Sequence, residues 1–422
     1  MLERYFIRPA TVDRIRACWI GDAIERYVTW LSENGYAPRN VFYRVPVLVR
    51  FGEFACASGA SQWDQLPAYL EPFVHHWLEQ HGAAGQSESK RQLSARPVRN
   101  IVRQLLHLII PDYPNNGRSH GLSDPFAESV PHFFDFLRRD RGLREATVVQ
   151  YQHRLRQLED HLCQVGTPSL VDLSPAMITS FVTMAGKSLD KRSVQSLCSI
   201  LKTFFRYLHQ IGILRRALSQ AVESPRRYRL AGLPRSISQA EVQRVLTAVD
   251  RRSHTGKRDY AILLLLATYG LRAREVSALR LEDIDWKRDR LHVRGRKAGH
   301  SAVYPLVPIV GEALLDYLRQ NRPPSAGRAL FFRALAPRTP ITWAAVAFRA
   351  KHYLRNAGIK VPRAGSHTLR HTFVQGLVDA HLPFKTIGDF VGHRTPDATA
   401  VYAKVNLEAL REVALGHGEE VL

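Results

Sequence analysis

Apolar residues recur at spacings of three and four along most of this 422-residue chain, the period of one helical face. Between 124 and 212 the pattern predicts four helices. Phe126 to Leu137 gives the first, and Gly142-Leu143 breaks it. Thr147 opens the second, with Val148, Tyr151, Leu155, Leu158 and Leu162 on one side. Ser174-Pro175 starts the third, a capping residue followed by proline at the first helical position. Ser193 to Ile211 is the fourth, carrying Val194, Leu197, Leu201, Phe204, Phe205 and Leu208.

From Ser236 the pattern becomes mixed. Ser238-Gln-Ala-Glu241 reads as a capping box before Val242, Val245, Leu246 and Val249. Asp259 to Thr268 is nearly all apolar and reads as a buried helix, too short to span a bilayer. Three strand-like pieces follow at 283–286, 290–294 and 302–306, separated by the turn residues Lys287-Arg-Asp289 and Gly295 to Gly299. Helices resume at Gly311 to Gln320 and from Trp343 onward. The expected fold class is therefore mainly α with a small antiparallel β-sheet.

Breakers mark the joints. Pro111 to Gly121 reads as a linker, and so does Gly212 to Arg235, where Arg215, Arg216, Arg226, Arg227, Arg229 and Arg235 face one acid, Glu223. Arg226, Arg227 and Arg229 are the candidate backbone contacts if this strand crosses a polyanion. The expected domains are 1–116, 124–212, the linker 213–235 and 236–422. An internal repeat links the first two. A shift of 107 residues lays Gly35 on Gly142, Cys56 on Cys163, Gly59 on Gly166, Leu66 on Leu173 and Val74 on Phe181. The last helix of the first copy, Val98 to Ile110, aligns at a shift of 96, so the first domain is read as a duplicate of the second.

Composition changes the picture through charge. Sixty Lys and Arg against 38 Asp and Glu leave +22, which favours a polyanionic partner, since neutralised phosphates release counterions. Four cysteines without a Cys-x-x-Cys pair argue against a disulfide scaffold or a cysteine-rich zinc module. With a charged start that does not read as a secretory signal, they fit a reducing cytosol. A cytoplasmic location without membrane contact is expected.

The candidate chemistry lies in five short phrases. They are Tyr269-Gly-Leu-Arg272-Ala-Arg-Glu275, Gly295-Arg-Lys297, Ser366-His367-Thr-Leu-Arg370-His371, Gly392-His393-Arg394 and Val401-Tyr402. Metal-free strand transfer needs a nucleophile, charge neutralisation at pentavalent phosphorus, and a proton for the leaving oxygen. Tyr402 is the candidate nucleophile; a phenol with pKa about 10 needs its proton taken and its phenolate held near positive charge. Arg272 and Arg370 are candidate phosphate clamps, because guanidinium is planar, always charged and bidentate. His367, three residues before Arg370, suits a proton acceptor or phosphate donor, and His393 a hydrogen-bond donor to phosphate. His367 and His371 have the spacing of two zinc ligands, yet Thr368 stands where a zinc protease needs Glu, and no clustered third ligand is evident. No metal site and no Walker or dinucleotide motif is expected.

This ordered set resembles the catalytic signature of the tyrosine recombinases, the phage integrase family of site-specific DNA recombinases. The phrase Arg141 to Tyr151 with its later apolar helix resembles the family's SAM-like core-binding domain. The resemblance implies helical core-binding bundles and a mixed α/β catalytic domain closing as a C-shaped clamp around DNA. It implies Lys297 as donor to the departing 5′-oxygen and Glu275 as a supporting acid. It also implies a 3′-phosphotyrosyl intermediate with no cofactor, since the phosphoester's energy is conserved. The partners implied are double-stranded DNA with inverted-repeat sites and a homo-tetramer on it, with other recombinases as possible co-partners. Asn406 with Leu407, Leu410 and Val413 suggests a terminal helix that docks on a neighbour. Integration, excision or transposition of a mobile element is the expected role. A type IB topoisomerase and a non-catalytic DNA-binding accessory protein are the rival readings.

Overall fold

A computed structural model describes residues 1–81, 87–111, 113, 124–166, 169–225, 236–253, 255–295, 301–324 and 327–392. The chain packs as two compact units, one of residues 1–113 with 232–422, the other of residues 114–231.

The first part of the larger unit is a helical bundle: α1 (Pro9–Ala17), α2 (Gly21–Glu33), α3 (Pro38–Ala57), α4 (Leu70–Gln80) and α5 (Glu88–Ile109). Its core joins Tyr27 from α2, Leu48 and Phe51 from α3, Phe73 from α4 and Leu105 from α5. Burial of such side chains contributes about 1.5–3 kcal/mol each before chain entropy is subtracted. The hydroxyl of buried Tyr27 is satisfied, donating to Gln104 Oε1 at 2.9 Å and accepting from Arg44 at 2.8 Å.

The smaller unit holds α6 (Phe133–Arg139), α7 (Glu145–Gln164), α8 (Pro175–Ser188) and α9 (Lys191–Gln210). Ser174 caps α8 and Asp190 caps α9, each accepting from the backbone N–H three residues on. The first of these helices is shorter than the periodicity predicts. Phe126 has a positive φ of 58°, and α6 begins only after Pro131, which lacks the N–H needed to continue a helix through that point. Beyond α9, Leu214, Leu218 and Val222 pack into this core, and Gln195 donates to the Pro225 carbonyl at 2.9 Å. The segment read as a linker thus starts on the bundle; Arg226, Arg227 and Arg229 lie outside the described residues.

Helix bounds in the two bundles run in parallel. α3 and α7 are both 20 residues long and stand 107 apart at each end. Gly35 and Gly142, and Gly59 and Gly166, all take positive φ just outside these helices. The buried positions of α5 (95, 98, 101, 102, 105 and 106) fall on buried positions of α9 at a shift of 99, three residues from the shift the sequence suggests. One helical turn separates the two registers, so apolar spacing alone could not choose between them.

The remainder of the larger unit contains α10 (Gln239–Thr247), α11 (Gly256–Thr268) and α12 (Ala273–Ala278). It continues through β1 (Ile284–Asp285), β2 (Arg290–Val293) and β3 (Ala302–Pro305) to α13 (Pro308–Gln320), α14 (Trp343–Asn356), α15 (Ser366–Asp379) and α16 (Phe384–Val391). The Ser238–Glu241 capping box forms in both directions. α11 is buried all round from Ala261 to Leu266 and is the hub of the core. The sheet is antiparallel in the order β1-β2-β3, with Leu291 opposite Tyr304 and Val293 opposite Ala302. Alternation puts Leu291, Val293 and Tyr304 into the core and leaves Val303 outside.

Candidate active site

The site forms where α11 ends. Tyr269 closes the helix, Gly270 turns the chain with φ of 58°, and Arg272 then caps α12. A Cβ on Gly270 would lie 2.6 Å from the Phe373 ring of α15, so both conformation and space require glycine there. Glu275 locks the turn. Its carboxylate accepts from the Arg272 backbone N–H and from Arg272 Nη1, both at 2.8 Å. The Glu275 side chain is 6% exposed and that of Arg272 24%, so the guanidinium reaches the surface while its anchor stays covered.

α15 brings the second arginine. Arg370 is 4% exposed and donates to the Gly270 carbonyl at 2.5 Å and to the Val391 carbonyl at 2.7 Å. Arg272 Nη2 donates to the next carbonyl, Gly392, at 3.0 Å. Two arginines from different elements thus meet at successive carbonyls of the C-terminal turn of α16. Cations suit that end of a helix, where carbonyls lack intrahelical partners. Gly392 ends α16 in the left-handed conformation, φ 66°, and the chain continues directly into His393.

His367 lies in the first turn of α15, one turn before Arg370. Surrounding protein pushes its imidazole below the ordinary histidine pKa, and the Arg370 and then the Arg272 guanidinium push it the same way. The residue is exposed, so charge repulsion is the firmer of these causes. These effects favour the neutral, proton-accepting form of the ring beside two fixed positive charges. The His371 ring centroid lies 6.2 Å from that of His367. Among the described residues no three His, Cys, Asp or Glu side chains gather around a point where an ion could sit.

Arg272, Glu275, His367 and Arg370 are therefore brought together. Lys297, His393 and Tyr402 lie outside the described residues; in sequence Lys297 falls between β2 and β3. Sequence reasoning missed the groups that hold the arginines: the carbonyls of Gly270, Val391 and Gly392. Glycine directly after an apolar helix was the available signal, because it marks a helix end with acceptor carbonyls. It also missed Tyr304, whose hydroxyl donates to the Phe390 carbonyl at 2.6 Å.

Residues 235–408 match the sequence profile of the phage integrase family, and residues 130–212 match that of the phage integrase N-terminal SAM-like domain. A putative integrase/recombinase of Sinorhizobium fredii is 36% identical over 280 residues, covering 66% of this chain and 68% of the relative. A second putative integrase/recombinase of that organism is 29% identical over 422 residues, 98% of this chain and 95% of its own. Among solved structures, the XerH site-specific recombinase bound to difH substrate in a pre-cleavage complex has a similar fold. That match has a TM-score of 0.53 at 16% identity, over 82% of this chain and 95% of the other.

Proposed function

Because this chain belongs to the phage integrase family of tyrosine recombinases, which are DNA strand-exchange enzymes, we propose that it cuts and rejoins DNA through a 3′-phosphotyrosyl bond on Tyr402. The observation that carries this reading is the meeting of Arg272 and Arg370 at the end of α16, immediately before His393. Two guanidiniums fixed in this way offer donors and positive charge to the non-bridging oxygens of one phosphate.

In this scheme the Tyr402 phenol oxygen attacks phosphorus and the bond from phosphorus to the 5′-oxygen breaks. The phenol proton passes to His367, whose neutral form is favoured by its surroundings and by the nearby arginines. Lys297 supplies a proton to the departing 5′-oxygen, and His393 donates to a non-bridging oxygen. A 5′-hydroxyl from a second strand then attacks the phosphotyrosine and reverses each transfer. Bond energy is conserved, so neither metal nor ATP enters the balance.

Double-stranded DNA is the partner of this enzyme class. We extend this to inverted-repeat sites, a tetramer of protomers with other recombinases as possible co-partners, and exchange of the Leu407 to Val413 segment between them. The parallel lengths, glycines and buried positions of α3 and α7, and of α5 and α9, support residues 1–116 as a second core-binding bundle and so a longer footprint on DNA. In the same domain scheme 124–212 is the core-binding bundle, 213–235 a basic linker with Arg226, Arg227 and Arg229 on the DNA backbone, and 236–422 the catalytic domain. Integration, excision or transposition of a mobile element in the cytoplasm is the role this suits.

The test uses a pool of nicked duplexes with a randomised core, so that cleavage strands the enzyme on DNA and the captured duplexes can be sequenced. Wild-type protein is expected to form detergent-stable complexes and Tyr402→Phe none. Complexes undiminished in Tyr402→Phe would sink the proposal.

A further inference from the structure

Tyr304 is buried on β3, 2% exposed, and makes two contacts with α16. Its hydroxyl donates to the Phe390 carbonyl at 2.6 Å, and its ring meets the Phe390 ring edge-on with centroids 4.8 Å apart. Phe390, Val391 and Gly392 are consecutive, and their carbonyls accept in turn from Tyr304, Arg370 and Arg272. Three side chains from three separate elements therefore hold one helix end, the end from which the chain runs to His393 and Tyr402.

The contacts close on themselves. Tyr269, three residues before Arg272, places its ring 5.4 Å from that of Tyr304. Its hydroxyl donates to the Pro305 carbonyl at 2.8 Å and accepts from the Val307 N–H at 3.1 Å. The next residue, Gly270, supplies the other carbonyl that Arg370 engages. A circuit thus runs from the Arg272 turn to β3, from β3 to the last turn of α16, and from there back through both guanidiniums. Within it the Tyr304 hydroxyl is a polar link between sheet and helix.

We propose that Tyr304 is a positioning residue for strand transfer, holding the last turn of α16 so that Arg272 and Arg370 lie in register with the phosphate. This rests on the reading given under Proposed function. Tyr304 touches no reacting atom; it acts through the helix end and the arginines. Without the hydroxyl, α16 keeps its ring packing but loses the bond that fixes its rotation and height against β3. A displacement of about 1 Å at reacting groups costs on the order of 100-fold in rate.

The experiment compares full-length wild type, Tyr304→Phe and Tyr402→Phe on the nicked duplex recovered from the randomised pool. Enzyme is in excess, so that single-turnover cleavage is separated from affinity. Tyr304→Phe is expected to bind with Kd within about twofold of wild type yet cleave about 10- to 100-fold more slowly. The same duplex with a methylphosphonate at the cleaved position lacks one anionic oxygen and leans less on the arginines. There the deficit is expected to narrow to within about threefold. A wild-type cleavage rate, a deficit wholly matched by Kd, or an equal deficit on both substrates overturns the inference. Cleavage is scored per bound enzyme, so loss of folded protein cannot imitate the expected result. Covalent complexes formed by Tyr402→Phe would instead refute the underlying reading, which keeps the two failures apart.

Discussion

Two buried arginines in the C-terminal part of this chain, Arg258 and Arg370, are similarly hidden and differ in their neighbours. Arg258 is 7% exposed, makes two bonds to Asp259 Oδ1, at 3.0 and 2.7 Å, and donates to the Phe332 carbonyl at 3.0 Å. Asp259 is fully buried and also accepts from Tyr353 at 3.2 Å and lies 3.5 Å from Arg349. Burial and then the Asp259 charge push the Tyr353 phenol up to about 12, so it remains a donor there. Arg370 is 4% exposed and is met by the peptide dipoles of Gly270 and Val391. A carboxylate offsets part of a guanidinium's charge, whereas a carbonyl orients the group through its dipole. Burial of an arginine does not by itself mark a catalytic site, and neither does the type of its acceptor: Arg272, paired with Glu275, meets Arg370 at the end of α16.

Four substitutions or conditions would break or sharpen that contrast. The largest effect is expected at the supporting cluster. Asp259→Ala strands Arg258 in the core without its carboxylate and should cost about 3–5 kcal/mol of stability, read from denaturant unfolding, while cleavage per folded molecule stays near wild type. A loss of cleavage at unchanged stability would erase the distinction between the clusters. Next comes Arg370→Lys, which keeps the charge but cannot span two carbonyls and a phosphate. Single-turnover cleavage should fall about 100- to 1,000-fold, with a smaller loss of stability.

Glu275→Gln should have a milder effect. It retains an acceptor for the Arg272 N–H but weakens a charge-assisted bond worth about 1 kcal/mol more than its neutral form, so cleavage should drop roughly five- to tenfold. The smallest effect concerns His367. Its folded pKa lies below its unfolded value of about 6.5, so at mildly acidic pH the unfolded chain binds the extra proton. Its contribution to stability is complete above that pH and is lost as pH falls through the window below it. Unfolding measured from pH 7.5 to 5 should show this slope in wild type and a flatter one in His367→Gln. An equal slope in both would remove His367 from the influence of the arginines.

The sequence revealed most where a rule is local. Capping at Ser174 and Ser238 follows from side chains beside their own backbone, and the all-apolar run of α11 announces its burial. Local rules failed at Phe126 to Leu137, where apolar spacing outvoted Pro131, and could not choose a register of α5 against α9, where a one-turn slip preserves the apolar stripe. Of the site, Arg272, Glu275, His367 and Arg370 were legible as motifs. What holds the arginines was not. Backbone carbonyls carry no residue-specific signature, and the Tyr304–Phe390 contact joins positions 86 residues apart that only the closed fold brings together.

The most direct test of the account identifies the atom that carries the DNA. Wild-type protein trapped on the nicked duplex is digested with trypsin and a nuclease, and the nucleotide-bearing peptide is sequenced by mass spectrometry. The account predicts the adduct on the peptide Thr395–Lys404, whose single tyrosine is Tyr402. An adduct on any other residue, or cleavage that leaves no protein–DNA linkage, would contradict it.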